Sequence, residues 1–286
     1  MLASVVRPRL ADYDVLVPEL PEVETVRREL VPWLTGRRIV KARRREAPPG
    51  PKYVGLERAD GQTIEQVTRR GKFLVMPLSG EDELIVHLGM TGHLSPTDPG
   101  SHVRVTARLE GAAPNALYFR DVRRFGRFLV VPAGDYRVLP TLAKMGPEPL
   151  GEAFTTERLA EELARSRAPV KAWLMSQRPV AGVGNIYVDE ALWRAEIHPR
   201  TPARQVARAR IGPLRDAIVD LLTAAIAAKG TTFSSFRNVA GEEGTYVRQL
   251  DVYGRGGEPC RRCGKPLTKA VIGQRSSVFC TRCQRR

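Results

Sequence analysis

Cysteine is missing from the first 259 residues of this 286-residue chain; all four cysteines fall in the last 27. That distribution excludes a disulfide framework and points to one local metal site. Acidic residues are also short, 31 against 46 Lys and Arg, for a net charge of +15. A surface so basic fits a polyanionic partner, nucleic acid before an acidic membrane. No apolar run reaches membrane-spanning length: the longest, 218–228, is interrupted by Asp220. Residues 1–17 contain Arg7, Arg9, Asp12 and Asp14 but no continuous apolar core, so they do not read as a signal peptide. They are expected to be a mis-called start or a disordered extension, and the protein to be cytoplasmic and nucleoid-associated. No internal repeat or low-complexity tract is present.

What is there divides by pattern. From Pro21 to about Val31, apolar residues recur at spacings of three and four, which predicts a helix ended by Pro32 and Gly36. Between 37 and 132 the segments are short, β-branched and punctuated by Gly and Pro. Alternation is cleanest over 102–109, with further strands expected at 72–76, 84–88 and 127–131. Such a series implies a β-sandwich or barrel. After 147 the periodicity turns helical, with helices expected at 155–166, 169–177, 185–195 and 213–229. The fold class expected is α+β. An N-terminal β-sandwich with a leading helix occupies 18–147, a helical domain 148–248 and a C-terminal finger 249–286. The stretch from Gly230 through Gly244 reads as a mobile loop.

The strongest local signal is Cys260-x2-Cys263-x16-Cys280-x2-Cys283. Two thiolate pairs on tight turns close a tetrahedron around one structural Zn2+ and leave no open catalytic position. From Asp251 to Arg286 there are nine basic and two acidic residues, so nine minus two puts +7 on this finger, which favours a nucleic-acid finger over a protein-docking one.

The stretch Pro18-Glu19-Leu20-Pro21-Glu22-Val23-Glu24 supports two compatible readings. One is a helix start with proline and acids in the first turn. The other is a nucleophile. An α-amino group titrates near ~8 and a lysine near ~10.4, so a free terminal amine starts a few hundredfold ahead at neutral pH. A terminal proline is a secondary amine, which attacks an aldehyde-like carbon to give an iminium. That reading needs the chain to begin at Pro18, as it would if Val17 were an alternative start codon. Gly182-Val183-Gly184-Asn185 reads either as a phosphate-binding helix start or as a glycine-rich connection with an Asn cap. Arg123-Arg124-Phe125 reads either as a probe wedged between base steps or as a salt-bridged strand end. Met90, in the turn 87–92, is either an exposed wedge or core.

Taken together, these motifs resemble the bacterial formamidopyrimidine-DNA glycosylase family. The opening stretch, Arg70-Gly71-Lys72-Phe73-Leu74, His87-Leu88-Gly89-Met90, Arg123-Arg124-Phe125-Gly126, Gly182-Val183-Gly184-Asn185-Ile186-Tyr187 and the four cysteines follow in that order from residue 18 to the C-terminus. The resemblance implies a helix–two-turn–helix domain in 148–248. It also implies a monomer acting in base excision repair on damaged double-stranded DNA, as a glycosylase and abasic-site lyase. The implied substrates are oxidised purines, 8-oxoguanine and formamidopyrimidines. In the implied mechanism, Pro18 attacks C1′ of the damaged nucleotide, Glu19 is the general acid and Lys72 holds a phosphate beside the lesion, with β,δ-elimination following. Met90, Arg123 and Phe125 fill the gap left by the everted base. Asn185, assisted by Lys171, and Arg275 bind DNA phosphates, and the loop 231–246 closes over the base. An endonuclease VIII-like glycosylase for oxidised pyrimidines is the alternative within the superfamily. A non-catalytic lesion-binding protein is the alternative if residues 1–17 are retained, because an acylated proline cannot attack.

Overall fold

The computed structural model describes residues 17–232 and 238–285. The expectation for residues 1–16 therefore lies outside the described residues, as does the part of the 231–246 loop at 233–237. The chain opens with helix α1, Leu20–Leu34. It runs one turn beyond the expected end because Pro32 sits inside it and the Thr35 N–H still reaches the Val31 carbonyl at 3.2 Å. A proline this close to a helix end forfeits a single hydrogen bond, and the buried Leu34 holds the last turn in place.

Eight strands follow: β1 Ile39–Arg44, β2 Thr68–Arg70, β3 Phe73–Pro77, β4 Asp82–His87, β5 Gly92–Ser95, β6 Val103–Leu109, β7 Ala116–Asp121 and β8 Arg127–Pro132. They form two four-stranded antiparallel sheets, ordered β1-β6-β7-β5 and β2-β3-β4-β8. Alternation places Leu74, Met76, Leu84, Val86, Phe128 and Val130 of one sheet in a single core with Val105, Ala107, Leu117 and Phe119 of the other. This is a β-sandwich, as the short alternating segments imply. The outer face of the second sheet carries Phe73, Val75, Ile85, Leu129 and Val131. Leu139 and Leu142, at the short helix α2 (Pro140–Ala143), cover it. The four strands absent from the sequence reading (β1, β2, β5 and β7) are short or carry charged residues on their exposed faces, which weakens the period-two signal.

The helical unit contains α3 (Thr156–Ala164), α4 (Val170–Met175), α5 (Asn185–Arg194) and α6 (Arg208–Ala227). Helix α6 starts five residues before Pro213, so that proline is internal, not initiating. Its core comprises Leu159, Val170, Leu174, Ile186, Leu192, Leu214, Ile218 and Leu222. Leu20 belongs to this core, whereas Val23, Val26, Leu30 and Leu34 belong to the sandwich. Helix α1 thus begins in one unit and continues into the other, and its N-terminus is fixed where the two meet. The chain ends in a two-stranded ribbon, β9 (Thr268–Ile272) and β10 (Arg275–Phe279), beside the four cysteines.

Candidate active site and nucleic-acid interface

A cavity of about 640 Å³ opens where the three units converge. The sandwich contributes Lys72, His87, Met90 and Arg123 to its wall; the helical unit contributes Asn185; the finger side contributes Tyr253, Gln274 and Arg275. Val17 and Glu19, the sequence neighbours of Pro18 on either side, also line it. Pro18 itself is buried, and in the 286-residue chain its nitrogen carries the Val17 acyl group.

Glu19 has only 2% of its surface exposed. Its Oε2 accepts the Gly184 N–H at 2.5 Å and its Oε1 the Ile186 N–H at 2.9 Å. The first N–H groups of a helix lack internal partners and favour a negative group. At α5 that group is Glu19. The glycines of 182–184 thus allow a close approach, and what approaches is protein. A Cβ on Gly184 would lie 2.4 Å from Glu19 Cδ and 2.4 Å from Lys72 Nζ. A Cβ on Gly182, whose φ is +79°, would meet the Leu20 side chain at 2.5 Å. The same geometry shows that the Glu19 carboxyl and the Lys72 ammonium converge on one backbone atom. Burial pushes the Glu19 carboxyl up to about 7, Lys72 and the two N–H groups pull it down, and neighbouring Glu22 pushes it up. Burial also lowers Lys72 from its ordinary value, opposed by Glu19 and Glu22.

Glu22 organises the next layer. It is 2% exposed and accepts from the Glu19 N–H at 2.8 Å, the Tyr187 hydroxyl at 2.9 Å and the Thr231 N–H at 2.7 Å. Burial is the main cause of its raised pKa. It therefore ties the start of α1 to α5 and to the first residue of the 231–246 loop. On the other side of the loop, the Asn238 carbonyl meets His93 Nε2 at 3.1 Å and the Val239 N–H donates to Glu29 at 2.7 Å.

Asp121 braces the exposed turns of the sandwich. Fully buried, it accepts from the Thr91 hydroxyl at 2.5 Å and the Gly126 N–H at 2.7 Å, while Thr91 Oγ1 accepts the Arg123 N–H at 3.0 Å. The 88–91 and 122–126 turns are locked together in this way. Met90 and Arg123 reach the cavity wall. Phe125 stands 49% exposed, with the Arg123 guanidinium 5.1 Å and the Lys52 ammonium 5.7 Å from its ring centre. An aromatic ring held out in water under two cations is not part of the sandwich core.

Lys171 departs from expectation. It is 0% exposed, 2.8 Å from Asp189 and 2.8 Å from the Ser276 carbonyl it donates to. An ammonium so enclosed is not placed to take a phosphate. Asn185, by contrast, lines the cavity, and its Oδ1 is buried without a hydrogen-bond partner. Sequence reasoning passed over His87, Tyr253, Glu22 and Asp121. His87 lies in a quoted motif, and its neutrality comes only from packing. Burial and the nearby Lys72 and Arg127 lower it to about 4, with the Phe73 ring centre 4.7 Å away and tilted by 49°.

The four cysteine sulfurs lie within 4.8 Å of one another, with Cys263 and Cys280 3.5 Å apart. Thiolates at ~2.3 Å from a tetrahedral zinc are about 3.8 Å apart, so the set fits that ion. When bound, the zinc supplies structure to a unit with a small core of its own, Val252, Leu267 and Val278 beside the cysteines. No helix among the described residues is long and apolar enough to cross a membrane.

The sandwich, the helical unit and the four-cysteine finger thus close on a buried acid–lysine pair. Profiles of the formamidopyrimidine-DNA glycosylase N-terminal domain match residues 17–128, of its H2TH domain residues 145–237, and of the zinc finger found in FPG and IleRS residues 257–286. The formamidopyrimidine-DNA glycosylase of Deinococcus radiodurans is 44% identical over 281 residues, covering 94% of this chain and 97% of that protein. The crystal structure of MutM (Fpg) from Thermus thermophilus superposes with a TM-score of 0.86 at 43% identity, covering 93% and 98% of the two chains. The Lactococcus lactis Fpg complex with abasic-site DNA gives a TM-score of 0.82 at 36% identity, covering 94% and 100%. The chain belongs to the formamidopyrimidine-DNA glycosylase family.

Proposed function

We propose that this chain excises oxidised purines, 8-oxoguanine and ring-opened formamidopyrimidines, from double-stranded DNA in base excision repair, and cleaves the resulting abasic site. The observation that carries the reading is the convergence of Glu19 and Lys72 at Gly184 on the wall of the cavity, with Glu19 next to Pro18 in the sequence. A carboxyl titrating at about 7 exists in both protonation states near neutrality, as a general acid and base must. In the acting form the Pro18 nitrogen is a free amine, so residues 1–17 are absent from it. That amine attacks C1′ of the everted nucleotide. Glu19 gives a proton to the sugar ring oxygen, the base departs with its bonding pair and takes up the proton lost from the Pro18 nitrogen, and the ring-opened sugar remains on Pro18 as an iminium. Loss of the two phosphates by β- and δ-elimination then leaves a single-nucleotide gap.

Lys72 and Arg275 hold phosphates, with Asn185 contributing from α5. Met90, Arg123 and Phe125 fill the hole left by the base, since a base must leave the stack before its glycosidic bond can be reached. The Lactococcus lactis relative has been solved with Fapy-dG DNA as well as abasic-site DNA, which supports the substrate class. Single-turnover excision from an 8-oxoguanine duplex by the chain beginning at Pro18, compared with an oxidised-pyrimidine duplex, tests the reading. Faster release of the purine is expected; faster release of the pyrimidine would assign the chain to the endonuclease VIII-like alternative.

A further inference from the structure

The finger hairpin has too little structure to place Arg275 by itself. Among the described residues strand β10 pairs only with β9, and an isolated two-stranded ribbon is marginally stable in water. The cysteine cluster secures one end. Arg275 sits at the other, after the turn at Gly273 and Gln274, with its side chain exposed on the cavity wall. Something else must fix that end.

Three contacts converge there, all from the helical unit. Lys171 Nζ donates to the Ser276 carbonyl at 2.8 Å. Asp189 Oδ2 accepts the Val278 N–H at 2.9 Å. Gly273 lies flat on α4, where a Cβ would approach the Ala172 Cβ to 3.0 Å. The first two donor and acceptor groups are an ion pair to each other, 2.8 Å apart and essentially closed to solvent, at 0% and 1% side-chain exposure. A buried ion pair costs desolvation that its attraction scarcely repays, so it is weak evidence for stability and better evidence for register. Here both charged groups also bond the backbone of one strand, on either side of Ser277, and specify where that strand lies.

We infer that Lys171 and Asp189 are positioning residues for Arg275: the buried pair fixes the β10 backbone against α4 and α5, so that the Arg275 guanidinium meets a DNA phosphate. This rests on the proposed phosphate-binding role of Arg275. It gives Lys171 a function in DNA binding without contact to DNA. The arrangement also makes the finger's register a property of the helical unit as well as of the zinc.

The test is salt-dependent binding of the 286-residue chain to a duplex carrying a tetrahydrofuran abasic-site analogue, which requires no free amine. Loss of one phosphate contact lowers the slope of log K against log salt by about 0.9 and weakens binding about eightfold at 0.1 M salt. Arg275→Ala is expected to do this alone. The apolar pair Lys171→Met with Asp189→Leu is expected to show the same losses while keeping its melting temperature, and adding Arg275→Ala to it is expected to cost nothing more. The neutral polar pair Lys171→Gln with Asp189→Asn, which retains a donor and an acceptor for β10, is expected to restore wild-type slope and affinity. If the apolar pair does not fold, Gly273→Ala is the second probe, with the same slope loss expected. Wild-type slope in the apolar pair or in Gly273→Ala, with Arg275→Ala still effective, overturns the positioning role. No effect of Arg275→Ala overturns its phosphate assignment instead, and the inference with it.

Discussion

The Glu19 carboxylate and the Gly184 N–H are 2.5 Å apart across 165 residues of chain, joining the first turn of α1 to the N-terminus of α5. The bond places an acid, held in the helix's field, beside Pro18 and Lys72. It also explains why position 184 carries no side chain.

Gly184→Ala brings a methyl group to 2.4 Å from both Glu19 Cδ and Lys72 Nζ. Overpacking of this kind costs about 1–3 kcal/mol. We expect a lowered melting temperature and loss of most excision activity, since the methyl displaces both functional groups at once. Calorimetry and single-turnover excision check the two effects separately.

Glu19→Gln keeps the shape and removes the titratable proton. Excision is expected to fall by about 10²–10⁴-fold, the usual contribution of a positioned general acid or base. Binding to a tetrahydrofuran duplex should remain near the parent value. The two assays on one preparation separate chemistry from recognition.

The raised Glu19 pKa also bears on stability. Its folded value of about 7 lies above the 4.5 of an unperturbed glutamate, so the folded state retains a proton that the unfolded state has released. Stability from this group is fully present below about pH 4.5 and is lost as pH rises to about 7. The difference in melting temperature between the parent and Glu19→Gln, followed from pH 4.5 to 7.5, should therefore shift against the parent as pH rises. A difference that stays constant, or moves the other way, contradicts the assignment.

Phe125 is 49% exposed and packs under cations, not in the core. Phe125→Ala is expected to leave folding stability within about 0.5 kcal/mol, as at most surface positions. It should weaken binding to a lesion-containing duplex more than to an undamaged one. Equal loss on both would remove the gap-filling role.

Chelating zinc should weaken DNA binding and leave the sandwich folded. The sandwich core contains no finger residue, and the finger has a separate small cluster around Cys260 and Cys280. Far-ultraviolet dichroism with parallel binding titrations provides the check; unchanged affinity in the metal-free protein would refute the finger's role.

The sequence made the site's ingredients legible because their chemistry is local. Four cysteines with short spacings and a Pro-Glu pair each carry their reason within a few residues, whereas the glycines at 182 and 184 are explained only by Leu20, Glu19 and Lys72 across the fold. Strands with clean alternation, such as β6, were equally plain. What escaped depended on distant partners. Whether Lys171 reached solvent was decided by Asp189 and by a strand more than a hundred residues on. Nothing local in the sequence marks Asp121 as buried, yet it is fully buried and locks two turns. Glu22 looked like a first-turn acid of α1, and only folding brought Tyr187 and Thr231 to it. Pro32 and Pro213 misled the helix boundaries because tertiary burial of Leu34 and of the α6 core outweighs one lost hydrogen bond.

The central claim is that the Pro18 nitrogen attacks the damaged nucleotide. Borohydride reduction of the chain beginning at Pro18, mixed with an 8-oxoguanine duplex, traps any iminium as a stable amine, and peptide mapping then locates it. The account predicts one adduct, on the Pro18 nitrogen. An adduct on Lys72, or tight binding to the duplex with no adduct at all, would contradict it.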